Sequence, residues 1–397
     1  MNHTLTLLAA LLLGQLSALH AQESSTRLAA DERQSRLSVG LLFHESQVWT
    51  ADEDGTKARH IFALCRSEKG TVLAFCEGRI EPDDPDPHHL LLKRSTDRGA
   101  TWGKDIFVER SDGKESFANP TPVVDRRTGR IFLFYALNID NQRSQVFYRT
   151  SDDDGVTWSV RTDVTRLFDG DPLKRPFHLP GPGHAVQLHS GRLVVPIWHR
   201  LALSRDYKSP PWEKRLYATS VMTSDDGGKT WRAGEFTPTE FHCNESRVVE
   251  LADGQLLLNG RSVGFLETGE KRRVEARSRD AGATWASSGW AETFPSSTPC
   301  DTGFIRLYHG PAKDKDWLVY SWPDHPTKRV NMTVALSTDG GRTWATRRHV
   351  APLSGYSDLV ELDDGSIGLL YDSGGKAVCF ARFGLDWLHG GQPQPGK

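Results

Sequence analysis

A small set of acidic, basic and phenolic side chains stands where short apolar runs end: Glu77, Arg79, Asp83, Asp84, Glu245, Arg261, Arg329, Tyr356 and Asp372. The arginines come from segments far apart in the chain. Arg261 follows the run 256–259 and Arg329 precedes the run 330–336. A guanidinium is planar and grips an oxyanion through two parallel N–H bonds, so inward arginines from separate elements can converge on one small carboxylate. Taken singly, such an arginine is more often half of a surface ion pair. A lone Tyr or Glu at a strand end is more often a half-exposed packing residue. What raises the set above that reading is its recurrence at matching strand ends.

Those ends belong to two repeats that run in phase. Ser-x-Asp-x-Gly-x-Thr-Trp occurs five times, beginning at Ser95, Ser151, Ser224, Ser278 and Ser337. The spacing of roughly 54 to 73 residues marks a repeated supersecondary unit. Each copy reads as strand end, tight turn and new strand. Ser and Asp bond the turn's own amides, Gly takes a positive φ, and the Trp ring fills space between units. The copies are scaffold; the spacing and terminal Glu of an EF-hand calcium loop are missing. A second pattern, a turn leading into an apolar strand, occurs six times, at 69–76, 128–135, 190–198, 253–259, 315–322 and 364–371. The period of about 60 residues, with few helix signals, predicts an all-β, six-bladed β-propeller. The last blade then needs a closing strand from elsewhere, and residues 37–43 are the expected donor.

The chain has 397 residues, a formal charge of −2, 36 glycines and 12 tryptophans. Balanced charge gives no polyanion-binding face, so no nucleic-acid partner is expected. The repeats place one domain over 38–389, between a leader (22–37) and a tail (390–397). Residues 1–21 read as a secretory signal: a largely apolar stretch of about fifteen residues, too short to span a bilayer comfortably, ends at His20-Ala21. An exported, periplasmic or extracellular protein without a membrane span is expected. The five cysteines are odd in number. Cys65 and Cys76 flank the first turn and allow a disulfide, but buried free thiols are the reading preferred. No Cys/His spacing suggests a metal site, and no cofactor is expected.

Several segments resemble the exo-α-sialidase (neuraminidase) family. They are Gly181-Pro182-Gly183-His184 leading to Gly191-Arg192-Leu193-Val194-Val195-Pro196, Asn244-Glu245-Ser246 with Asn259-Gly260-Arg261-Ser262, Arg329-Val330-Asn331, and Tyr356-Ser357-Asp358-Leu359. The resemblance implies cleavage of terminal sialic acid with retention, on sialylated or related acidic glycans. It makes Tyr356 the nucleophile and Glu245 the group that takes its proton. The acid/base becomes Asp84, with Asp83 and Asp86 as rivals on the same loop. It gives Arg261 and Arg329 as two members of a carboxylate-binding triad, with Glu77 and Arg79 lining the site. A tyrosine suits this substrate, because a carboxylate nucleophile would approach the substrate's own carboxylate against like charge.

Two positions depart from the family pattern. The family usually presents Arg-Ile-Pro in the first strand, and here Arg59-His60-Ile61-Phe62-Ala63-Leu64 puts His60, rather than Arg59, at the first triad position. The family's bracing Glu after the Tyr371 position is Asp372. Strand alternation favours His60, since a one-residue slip would reverse Ile61 and Ala63 as well. With Asp372 and a bound carboxylate nearby, His60 is expected to be held protonated. The altered pair leaves three other readings open: a glycosidase for another nonulosonic acid, a uronic-acid-acting lyase or hydrolase, and a non-catalytic glycan-binding propeller.

Overall fold

The structure, a computed structural model, describes residues 43–50, 55–202, 212–263, 273–295, 298–375 and 377–390. The expected signal (1–21), leader (22–37) and the tail from 391 onward lie outside the described residues, as does most of the expected closing strand.

Central strands of the sheets read as unbroken apolar runs because neighbouring sheets cover both of their faces. Val72–Arg79 and Leu193–Arg200 are buried along their whole length. The strands pair into five sheets. Four are separate, blade-like units. One runs in the order Phe43–Thr50, Ala377–Phe383, Ile367–Asp372, Ser357–Glu361; a second is built on Phe177–Pro180 and Leu193–Arg200; the others run from Cys243–Glu250 to Ser287–Ala291 and from Gly303–Arg306 to Thr346–Leu353. The fifth has eight strands, from Ala58–Arg66 to Thr162–Asp163. The six-bladed expectation is therefore corrected. A parallel contact between His88 and Ser116 runs the first two repeat units into one sheet. The closing strand is also corrected: Phe43–Thr50, not 37–43, pairs antiparallel with Ala377–Phe383.

All five Ser-x-Asp turns share one hydrogen-bond pattern. In the second, Ser151 Oγ donates to Asp153 (2.8 Å), Gly155 N–H to Ser151 Oγ (2.8 Å), and Thr157 N–H and Oγ–H to the two Asp153 oxygens (2.8 and 2.5 Å). The same bonds recur around Asp97, Asp226, Asp280 and Asp339. Each turn delivers its Trp to a neighbouring unit. Trp102 meets Phe380 edge-on at 5.3 Å, Trp158 meets Phe75 at 6.0 Å, and Trp231 meets Phe134 at 4.8 Å. All five cysteines are buried and free. Cys65 lies opposite Leu73 and Cys76 opposite Phe62, so the two thiols sit on different rungs and in different packed clusters. No helix among the described residues is long and apolar enough to cross a membrane.

The turn carboxylates set the acid limit of the fold. The Thr157 hydroxyl and amide lead the bonds that hold Asp153 down to about 2, and Asp97, Asp226, Asp280 and Asp339 are depressed as well. A depressed carboxylate contributes stability above its unfolded pKa and loses it as pH falls through the folded one. The urea midpoint is expected to be flat above about pH 4 and to fall steeply between about pH 4 and 2. Asp153→Asn should flatten part of that drop; an unchanged acid profile in this variant would remove the turn carboxylates from the explanation.

Candidate active site

Strand pairing brings the polar strand ends to one end of the sheets. His60 lies opposite Glu77, and Ala58 opposite Arg79. Ser246 lies opposite Gly260, which sets Glu245 beside Arg261. The Asp372 amide donates to the Tyr356 carbonyl (3.1 Å). Three inner strands break register here: between His60 and Phe62, where Ile61 has φ 54°, between Ala118 and Thr121, where Asn119 has φ 59°, and between Cys243 and Ser246. Such bulges re-aim side chains at sheet ends.

At the centre, the buried Tyr356 hydroxyl donates to Glu245 Oε1 (2.5 Å). Arg261 Nη1 donates to both Glu245 Oε2 (2.6 Å) and the Tyr356 oxygen (2.9 Å). The Arg329 guanidinium stands 5.0 Å from the Tyr356 ring centre, and one of its N–H groups donates to the Pro299 carbonyl (3.2 Å). Burial, then the Glu245 charge, pushes the phenol well above its ordinary value, while Arg261 and Arg329 pull it down. The resting tyrosine is therefore neutral, bonded to the group able to take its proton.

His60 completes this cluster, its ring 4.6 Å from that of Tyr356. Arg59 is buried on the other side of its strand, 3.7 Å from Asp105. Burial, followed by the charges of Arg79, Arg329, His88 and Arg261, drives His60 well below the ordinary imidazole value. That direction runs against the expected protonated His60: with no carboxylate bound, burial and the neighbouring Arg79, Arg329 and Arg261 disfavour the imidazolium. Asp372 is not turned to the ring. Its carboxylate accepts the Gly375 amide (2.6 Å) and lies against Gly355, where a Cβ would come within 2.5 Å of it. Burial raises the pKa of Asp372, opposed by the Gly375 amide and Arg329.

The loop after the second strand is pinned from below. Glu77 Oε2 accepts from Arg79 Nε and Nη2 (3.0 and 2.7 Å), and Glu77 Oε1 accepts the Asn119 amide (2.9 Å). Burial nevertheless lifts the Glu77 carboxyl to about 7. Arg79 also donates to the Pro82 carbonyl (2.8 Å) and pairs with Asp84 Oδ1 (3.0 Å), whose side chain is 53% exposed. Ser116 and Asn138 hold the Asp84 carbonyl, and His88 Nε2 lies 3.0 Å from the Asp83 carbonyl. Asp83 is exposed and Asp86 half-buried on the same loop. Asn119 and His88 were not among the sequence candidates; the Asn-Pro step at 119–120 was the available sign of unusual backbone there.

Residues 70–369 match the family described as a BNR repeat-like domain. A sialidase of Micromonospora viridifaciens is 32% identical over 376 residues, covering 88% of this chain and 55% of its own length. A sialidase of Bacteroides fragilis is 30% identical over 359 residues, covering 81% of this chain and 61% of its own length. The solved Hadza microbial sialidase Hz136 superposes with a TM-score of 0.74 at 26% identity, over 86% of this chain and 68% of that one. The chain belongs to the BNR repeat-like domain family. It spans little more than half the length of the curated relatives it matches. The resemblance read from the motifs agrees with this membership.

A neutral His60 has a measurable consequence. Binding of a carboxylate inhibitor, followed by calorimetry in wild type and His60→Asn, should give parallel pH curves between about pH 5.5 and 8. A steeper loss in the wild type as pH rises through about 6.5 would restore the charged imidazole.

Proposed function

We propose that the protein is a retaining exo-α-sialidase acting on sialylated or related acidic glycans outside the cytoplasm. The observation that carries this reading is the 2.5 Å bond between Tyr356 and Glu245, with Arg261 on both oxygens. A binding module needs neither a nucleophile nor its base. The family membership and the sialidase relatives support the same substrate class.

Arg261 and Arg329 take the substrate carboxylate as guanidinium clamps. Tyr356 Oη forms a bond to the anomeric carbon as its proton passes to Glu245 Oε1. The glycosidic C–O bond breaks, and the leaving oxygen takes the proton of the acid on the 82–86 loop, Asp84 with Asp83 and Asp86 as rivals. The resulting aryl glycoside is neutral at oxygen. Water then attacks the anomeric carbon from the face the leaving group vacated, giving a proton to the loop carboxylate, while Tyr356 departs and recovers its own from Glu245. Arg261 beside the phenol oxygen stabilises the charge that develops on it.

A second reading, hydrolysis of another nonulosonic acid, is favoured by one observation. An imidazole stands where the family resemblance implies an arginine, so the carboxylate clamp differs from that pattern.

A fluorogenic sialoside assay on the purified protein tests the reading. Tyr356→Phe should lose about 10³-fold or more in kcat and Glu245→Gln about 10²- to 10⁴-fold. The corresponding Asp→Asn change on the loop should cost about 10²-fold or more on natural sialosides and far less on an activated aryl glycoside, whose leaving group needs little protonation. Turnover by Tyr356→Phe at the wild-type rate would reject the phenol nucleophile. Turnover of a deaminated analogue but not of the sialoside would select the second reading.

A further inference from the structure

Directly beneath the reacting pair lies a second layer of buried charge. Arg247 follows Glu245 by two residues, and Asp358 follows Tyr356 by two. Alternation along a strand puts such neighbours on one face, a step deeper between the sheets. Arg247 and Asp358 are fully buried. Arg247 Nε stands 3.4 Å from Asp358 Oδ1, and Arg247 Nη2 pairs with Asp301 Oδ2 at 2.6 Å. Asp358 Oδ2 also accepts the amides of Leu64 (2.8 Å) and His184 (3.0 Å), and its Oδ1 lies 2.7 Å from His184 Nδ1. The arrangement leaves no room for error. A Cβ on Gly183 would fall 2.0 Å from Arg247 Nη2. It also accounts for residues that the catalytic steps leave unused: His184, Gly183 and Asp358 all stand in the quoted sialidase-like segments.

We propose that the Arg247–Asp358 pair is the positioning element for Tyr356 and Glu245, fixing the approach of their two strands and the field in which the shared proton sits. The inference rests on the nucleophile–base reading given above. Neither residue touches the reacting atoms. Asp358 gathers Leu64, His184 and Arg247, which belong to three separate segments, around the strand that begins just after Tyr356. Asp301, on the far side of Arg247, also feels the charges of Glu245, Asp358 and Arg273, and burial raises its carboxyl above the ordinary value. Asp301 thus anchors the outer end of Arg247, whose Nη2 it meets at 2.6 Å.

The test uses the full chain carrying Arg247→Met with Asp358→Asn. This removes both charges at similar volume and keeps an oxygen for the Leu64 amide. Two readouts are followed: kcat and KM against pH, and the ¹³Cζ resonance of labelled Tyr356, assigned by its absence in Tyr356→Phe. The expected result is a folded protein with kcat down about 10²-fold, the scale set by misplacing a reacting group by about 1 Å. KM should change less than about threefold, and the Tyr356 resonance should move toward that of free tyrosine. Should the double variant not fold, Asp301→Asn keeps an oxygen for Arg247 and should lower kcat and move the resonance. A lower melting temperature with kcat, pH profile and resonance all unchanged would overturn the proposal and leave a structural pair. The resonance is read without turnover. An inactive wild type whose Tyr356 signal still responds would therefore reject the sialidase reading alone.

Discussion

A carboxylate taken wholly out of water survives only where enough donors and opposite charge surround it, and Asp358 is such a group. Burial raises its proton affinity, but His184, Arg247 and the Leu64 amide outweigh burial and hold it below the ordinary carboxylate range. The donors come from three segments other than its own, so the charge cannot be satisfied unless those segments arrive together. Arg247 is constrained in the same way, because Asp301 and Asp358 offset the cost of burying its guanidinium. The hydrogen bonds and ion pairs of this layer hold only at narrow distances and angles. The layer therefore sets the positions that the strand ends above it inherit.

Those strand ends carry an electrostatic balance that keeps the Tyr356 phenol protonated at rest. Were Tyr356 ionised at rest, its charge would sit 2.5 Å from Glu245 and oppose it. With the phenol protonated, one proton bridges the two oxygens, and Arg261 meets both. Arg329 above the ring favours the phenolate only as negative charge develops. The site is thus arranged to respond to charge formation, which is where preorganised dipoles and cations contribute most.

How far the sequence disclosed this varies by residue and for physical reasons. The Ser-x-Asp turns were legible because their chemistry is local: Ser151, Asp153, Gly155 and Thr157 bond one another whatever surrounds them. The strand ends were legible through the phase of the repeats, and Tyr356 and Glu245 through family resemblance. The joining of the first two units was not, because the single parallel contact of His88 with Ser116 depends on where a loop folds. The closing strand was placed too early because 37–43 has the more apolar run, whereas pairing to Ala377–Phe383 selects Phe43–Thr50. Arg247 was overlooked since a lone arginine inside Cys243–Glu250 carries no signal of its partners, which lie 54 and more residues away. The environment of His60 was hidden for the same reason: burial first, then Arg79, Arg329 and Arg261, lower its proton affinity, and only the fold brings these about.

The two departures from the family pattern also explain each other. Asp372 is one methylene shorter than Glu, and its carboxylate folds back onto the Gly375 amide and the Gly355 backbone. Asp372 then presents no charge to position 60. A guanidinium there would be a costly buried cation beside Arg79, Arg261 and Arg329, since the nearby Glu77 and Glu245 already engage Arg79 and Arg261. A neutral imidazole avoids that cost, and its ring lies 4.6 Å from that of Tyr356 at a tilt of 48°. On the proposed reading, a carboxylate entering this site would meet two guanidinium groups and one polar ring, so its recognition would depend more on placement and less on charge than in a clamp of three arginines.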